Sequence, residues 1–244
     1  CVMLLRPECL AIQGHPLGAG TMCLGDQNGD GFDDICDLKW LQPPELRPVG
    51  VDVNATMPFV LADDWPCAHG ALITEFMIWA SWFQDALPGD PMNVHFLMAI
   101  HADMPDPDGD GPLYSMPGPM LWVHTFPPGT FEALPYQPAP EGWLTPPSEY
   151  IFPGDTLCWL YRFKVPQWEG FWQGRAPATD PMVYWLEIQA LVPGAPQPIA
   201  FGWKTSWKHW NDDGVWGLGQ TPHMGPWQEL RYPPPHPLAP RSID

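Results

Sequence analysis

Basic charge is scarce in this chain: 10 Lys and Arg stand against 28 Asp and Glu, a formal net charge of −18. A polyanion would be repelled over most of such a surface, so nucleic acid is excluded as a partner. Apolar runs are short as well. None approaches the roughly 18 residues that a membrane-spanning helix needs, and no membrane span is expected. Long helices are disfavoured by 35 prolines and 23 glycines among 244 residues, since an interior proline costs a helix about 3 kcal/mol. The familiar catalytic signatures are missing too: there is no GxSxG elbow, no GxxxxGK phosphate loop, no GxGxxG after a strand and no HExxH. No CxxC pair and no Cys/His zinc spacing occurs among the six cysteines.

What the chain does have is aromatic mass and an acidic loop. Its 15 Trp, 11 Phe and 6 Tyr exceed what disordered chains carry, so the prolines read as rigid loops on a sheet scaffold. Residues 26–37 read DQNGDGFDDICD, which fits a twelve-residue calcium loop. Asp26, Asn28 and Asp30 take positions 1, 3 and 5, Gly31 makes the turn, the Phe32 carbonyl takes 7, Asp34 takes 9 and Asp37 closes at 12. Asp stands at position 12 where an EF-hand has Glu, and in this the loop resembles extracellular repeats of the dockerin and thrombospondin type 3 kind. Calcium is the expected ion, and it would neutralise part of the chain's self-repulsion.

An even number of cysteines flanking and following such a loop fits an oxidising compartment. The pairing expected is Cys23 with Cys36, Cys67 with Cys158 and Cys1 with Cys9, one of fifteen connectivities that six cysteines allow. The absence of an initiator Met or signal sequence at Cys1 suits a processed, exported product, and the expected location is secreted, extracellular or at the cell surface.

Two domains are expected: an N-terminal cap over 1–42 holding the calcium loop, then a β-sandwich body over 43–244 after a proline-marked hinge. Strands are expected at Phe59–Asp64, Ile73–Phe83, Asn93–His101, Leu121–Phe126, Tyr150–Phe152, Leu157–Val165, Met182–Leu191 and Ile199–Thr205. Alternation places Val94, Phe96, Met98 and Ile100 on one face with Asn93, His95 and His101 on the other. It likewise sets Tyr161 and Phe163 opposite Cys158, Arg162 and Lys164, and Tyr184, Leu186 and Ile188 opposite Trp185, Glu187 and Gln189. No repeat of solenoid length recurs. The fold class expected is all-β, an antiparallel, jelly-roll-like sandwich with long Pro-rich loops.

The phrases VDVNAT at 51–56, FVLADDW at 59–65, YSMPG at 114–118, YIFPGDTLCW at 150–159, FGWKTSWKHWNDDGVWG at 201–217 and PWQELRYPPPHPLAPRSID at the end carry a resemblance. Together they look like an uncharacterised all-β domain of secreted bacterial proteins, often found beside dockerin-like calcium loops. The resemblance runs from about residue 38 to the C-terminus and implies export and an all-β fold; it brings no activity with it. It also implies a further apolar strand after Asp244, whose lack would leave a sheet edge open to another chain.

Several residue groups are candidates for chemistry. Asp106, Asp108 and Asp110 alternate before Gly111 like calcium ligands, but Tyr114 and Pro117 fall where carboxylates should close the loop, and a solvated turn is the competing reading. His95 and His101 share a strand face but lie about 20 Å apart along it; either one meeting His124 would suit a transition metal, against an ordinary hydrogen-bonded histidine. The carboxylate pairs Asp63 with Asp64 and Asp212 with Asp213 suit a glycosidase by residue type only. Asn211, Asp212 and Asp213 form a third acidic candidate, whose side chains alternatively cap turns. Trp203, Trp207, Trp210, Trp216 and Trp227 crowd one quarter of the chain, as sugar-stacking indoles or as core filler. Asn54-Ala55-Thr56 is a formal glycosylation acceptor sequence that a turn also explains.

The function expected is that of a secreted, calcium-stabilised structural protein that assembles with copies of itself into a filament, sheath or surface layer. A carbohydrate-binding module of a polysaccharide-degrading system is the alternative, with polysaccharide as partner, and a secreted hydrolase or metal-dependent oxidative enzyme the third.

Overall fold

The computed structural model describes residues 40–67, 72–105, 114–174, 182–193 and 199–243. The chain divides into two compact units, Cys1–Leu41 and Gln42–Asp244, and every described strand belongs to the second. The calcium loop from Asp26 to Asp37, Cys1, Cys9, Cys23 and Cys36, and the acidic stretch holding Asp106, Asp108 and Asp110 lie outside the described residues.

The second unit is all-β. Its strands are β1 (Val51–Asn54), β2 (Phe59–Cys67), β3 (Leu72–Ile73), β4 (Glu75–Trp82), β5 (His95–Met104), β6 (Met116–Phe126), β7 (Glu132–Thr145), β8 (Glu149–Lys164), β9 (Phe171–Trp172), β10 (Met182–Leu191), β11 (Phe201–Lys204), β12 (Val215–Leu218) and β13 (Gln228–Glu229). Six of them form an open sheet in the order β13-β12-β2-β10-β5-β6, and β3 pairs with β9 in a small ribbon. Where a second open sheet was expected, β1-β11-β4-β8-β7 instead close into a five-stranded barrel. Closure comes from a parallel pairing of β1 with the end of β7, Asp52 opposite Trp143 and Val53 opposite Leu144. A sandwich reading misses this seam, because VDVN is too short to stand out and β7 is interrupted by Pro135, Pro138 and Pro140. Those prolines are tolerated because the β7–β8 ladder shifts register beside each of them, leaving positions where no backbone N–H is owed to a partner.

Strands β5, β8 and β10 each follow the expected alternation, yet both faces are covered. On one face of β5, Val94, Phe96, Met98 and Ile100 are buried, and on the other Ala99 and His101 are buried as well. The first face belongs to an aromatic core shared with barrel strands. Phe96 packs edge-on against Phe131, Tyr161, Phe163 and Phe201 at centroid distances of 5.1, 5.4, 5.0 and 4.8 Å. Trp82 closes the cluster against Phe201 and donates its indole N–H to the Tyr161 hydroxyl at 2.8 Å. Such edge-to-face contacts add to simple area burial, which is why Phe and Tyr do here what Leu and Val do in most cores. Replacing Phe96 with Ala should cost about 3–5 kcal/mol of unfolding free energy in urea titrations; a loss near that of an exposed residue would show that the cluster does not hold barrel and sheet strands together.

Candidate functional site

The barrel is filled by charge. Asp52 and Lys204 are cross-strand partners on β1 and β11, so their side chains share a face, and the Lys204 ammonium donates to Asp52 Oδ2 at 2.7 Å. It also donates to Glu141 Oε2 on β7 at 2.5 Å. All three side chains are 0% exposed. Asp155 and Cys158 on β8 and Ser81 on β4 are buried beside them. Residues from every barrel strand can converge on one lysine only from the inside, so this cluster occupies the barrel interior. Gly202 makes room for it: a Cβ there would lie 2.6 Å from the Trp143 ring and 2.9 Å from Asp52 Cβ.

Electrostatics inside the barrel are dominated by burial. Loss of water, reinforced by the Asp52 charge and opposed by Lys204, pushes the Glu141 carboxyl up to about 8. The same causes push Asp155 up to about 10. Burial pulls Lys204 down, but the facing Asp52 and Glu141 carboxylates outweigh it and hold the ammonium above its ordinary range. Burial also raises the Cys158 thiol, which is therefore a poor nucleophile. Asp155 interacts with the side chains of Asp52 and Ser81, the first favouring its proton and the second its loss, and Glu141 Oε1 has no partner within the protein. The cluster thus holds protons in a space closed to bulk solvent. A pocket lined by Val53, Leu61, Trp79, Trp203 and Leu230 borders Lys204.

A second buried pair lies in the open sheet. His101 Nε2 is 2.6 Å from Glu187 Oε2, both side chains wholly buried, and His101 Nδ1 donates to the Gly118 carbonyl at 3.0 Å. Glu187 accepts the His223 backbone N–H, and Gln189 holds the same loop through the Thr221 N–H and the Gly219 carbonyl. Trp227 packs edge-on to His101 and His223. These contacts fasten the 219–227 segment over the sheet, which is why the second face of β5 is covered.

The residues singled out from sequence fall as follows. Met98 lies opposite His124 in the β5–β6 register, so His124 shares the Phe96 face while His101 lies on the other, and the histidines do not meet. His124 instead stacks on Trp122 and lies 3.5 Å from Glu169. Among the described residues no group of three or more His, Cys, Asp or Glu side chains is disposed to hold a metal ion. The expected Cys67–Cys158 disulfide is not formed: Cys67 ends β2 in the open sheet, its thiol 3.6 Å from the Gly174 carbonyl, whereas Cys158 faces the barrel interior. Of the tryptophans, Trp216 and Trp227 are buried and cannot stack on a sugar, Trp203 and Trp210 are half-buried, and Trp207 is exposed. The acidic pairs do come together: Asn211 Nδ2 donates to Asp64 Oδ2 and Asp212 Oδ2, and Ser115 donates to Asp212. His209 lies 3.2 Å from Asp213. Two indoles outside the predicted set, Trp168 and Trp172, are more exposed than Trp207.

Sequence reading passed over Asp52, Glu141, Asp155 and Lys204. A signal for two of them exists: Asp52 alternates with Val51 and Val53, and Lys204 follows the apolar FGW run, so each is a charge at a strand position whose neighbours are buried. Glu141 and Asp155 carry no such mark.

Fold and site together define an all-β domain whose barrel encloses a lysine–carboxylate cluster. Residues 38–244 match the family described as Domain of unknown function (DUF7901), and the chain belongs to it. No curated protein and no solved structure matches it. Among the described residues no helix is long and apolar enough to cross a membrane.

The cluster makes a pH prediction. Glu141 and Asp155 have folded-state values above their unfolded ones of 4.5 and 3.8, so the folded chain holds protons that the unfolded chain releases. The stability they supply is complete in acid and lost as pH rises, through about 8 for Glu141 and about 10 for Asp155. Urea midpoints should fall between pH 5 and 9, and Glu141→Gln should flatten the lower part of that slope; an unchanged slope in the variant would show that surface repulsion alone causes it.

Proposed function

We propose that this chain is a secreted, calcium-stabilised structural subunit that associates with copies of itself through the free edge of β6. The observation that supports this is the edge itself. Natural sheet edges are protected by charge, proline, bulges or a covering segment. At the β13 end of the sheet the tail does this, with Gly214 N–H donating to the Ile243 carbonyl and Ile243 N–H to the Leu230 carbonyl. At the other end β6 pairs only with β5 among the described residues, and its stretch Met120–Phe126 carries neither proline, Lys, Arg, Asp nor Glu. Met120, Leu121 and Val123 are exposed along it. Two such edges can join as antiparallel strands, extending one sheet into the next. Calcium held by Asp26, Asn28, Asp30, Phe32, Asp34 and Asp37 would lower the charge that each copy brings to the contact.

A second reading has its own support. Trp168 and Trp172 are 84% and 71% exposed, and the Trp168 indole N–H donates to Glu169 Oε1 at 3.3 Å. Exposed indoles held by such contacts suit stacking on the flat faces of a polysaccharide, as in a carbohydrate-binding module. Retention on cellulose, xylan or chitin that is lost in Trp168→Ala and Trp172→Ala would favour it.

Sedimentation at rising concentration in calcium separates the two. The native chain should associate, and Val123→Lys, which sets a charge on the exposed edge without touching the core, should stay monomeric with an unchanged thermal midpoint. A native chain that remains monomeric throughout would overturn the assembly reading.

A further inference from the structure

We infer that Lys204 and Asp52 are joined by an intramolecular amide bond, formed by the folded barrel itself with Glu141 as its acid–base catalyst. This goes beyond the assembly reading and does not rest on it. Three observations carry it. The two reacting groups are held in register on adjacent strands, with Lys204 Nζ 2.7 Å from Asp52 Oδ2 and both side chains fully buried. A carboxyl group from a third strand, Glu141, touches the same nitrogen. Finally, Glu141 Oε1 has no hydrogen-bond partner within the protein, so this carboxyl keeps an oxygen free to move a proton between the reacting groups.

The chemistry balances without any added reagent. The ammonium–carboxylate pair must first pass a proton to become amine and carboxylic acid, with no change in net charge; burial favours that neutral form and the facing carboxylates oppose it. Lys204 Nζ then attacks Asp52 Cγ while the protonated Glu141 gives its proton to the carbonyl oxygen. Glu141 next takes a proton from the new C–N nitrogen and delivers it to one hydroxyl, which departs as water, while the remaining hydroxyl becomes the amide carbonyl and returns its proton to Glu141. One C–N bond forms, one C–O bond and one N–H bond break, water leaves, and Glu141 ends protonated as it began. That Glu141 holds its proton near neutral pH follows from its burial beside Asp52. Held reactants replace a bimolecular encounter, an advantage that effective molarities put at about 10⁵ M or more. Asp155, which carries a proton for the same reason, lies beside Asp52 and can polarise its second oxygen.

Burial of the cluster also accounts for the choice of Asp52 as the acyl partner. Asp52 has the shorter side chain, fixed on the strand directly opposite Lys204, whereas Glu141 reaches the nitrogen from β7 with the freedom of a longer arm to move protons. Once the bond has formed, neither the ammonium nor the Asp52 charge remains, and burial alone keeps the Glu141 and Asp155 carboxyls protonated.

The test is the mass of the full-length chain, purified folded, then reduced and denatured. The native protein should be lighter than its sequence by one water, and a tryptic digest should yield the peptide holding Asp52 joined to the peptide holding Lys204, with no cleavage after Lys204. Glu141→Gln, near-identical in shape, should fold with native near-UV circular dichroism and keep its full mass; Lys204→Met should do the same or fail to fold. A folded native chain of full sequence mass overturns the inference whatever the variants do. So does a water loss that leaves the two peptides separate, as cyclisation at Asp213-Gly214 would, or a link that runs from Lys204 to Glu141 in place of Asp52.

Discussion

A single buried lysine organises this domain. Lys204 sits where no water reaches, and an isolated ammonium there would cost several kcal/mol even after relaxation of its surroundings. It is tolerable only because Asp52 and Glu141 come to it from two other strands. That requirement couples strand registers that could otherwise drift. A slip of one residue in β1 would turn Asp52 to the outer face and bring Val51 or Val53 inside, leaving the cation without its partner. The parallel β1–β7 seam carries few pairs and would be a weak closure by hydrogen bonding alone. The ion cluster fastens the same strands from within.

The outer side of the barrel obeys a different constraint. There Trp82, Tyr161, Phe163 and Phe201 meet Phe96 and Phe126 of the open sheet, and shape rather than charge sets the contact. Successive residues of β4 serve the two needs in turn: Ile78, Ala80 and Trp82 belong to the aromatic side, while Ser81 belongs to the polar interior. β8 divides likewise, with Tyr161 and Phe163 outward and Cys158 and Arg162 on the other face. Arg162 ends that face in an ion pair with Glu75 at 2.8 Å, where the barrel opens toward solvent. A period of two in the sequence thus becomes a charged, polar core on one side of a strand and an apolar, aromatic one on the other.

This division explains what could be read from sequence and what could not. The all-β class was legible from proline, glycine and aromatic content, and the positions of β2, β4, β5, β10 and β11 from their runs and alternation. β7 was not, because a strand interrupted at Pro135, Pro138 and Pro140 looks like a loop until its bulged ladder with β8 is seen. Nor was the cluster: its members stand at 52, 141, 155 and 204, and no spacing rule links residues that only barrel closure brings together. Alternation did separate Glu187 from Ile188 and His101 from Ile100, but it does not tell that the Glu187 and His101 face is covered. The 219–227 loop made it an inner one, and no local pattern announces a cover supplied from a distant segment.

The charge of −18 poses one remaining question, which is how so acidic a chain could approach another copy. At physiological salt, exposed charges more than about 8 Å apart are largely screened, so the net charge matters less than what stands at the line of contact. Along Met120–Phe126 nothing charged stands there. An antiparallel meeting about Val123 would set Trp122 of one copy opposite His124 of the other and Leu121 opposite Thr125, pairs without like charges. Glu169, beside this stretch, is turned toward His124, and its carbonyl accepts the Trp122 indole N–H. If copies associate, the acidic surface would hold them apart in most orientations, and along the uncharged stretch Met120–Phe126 approach would not be opposed. In such an arrangement repulsion would select the geometry of association without preventing it.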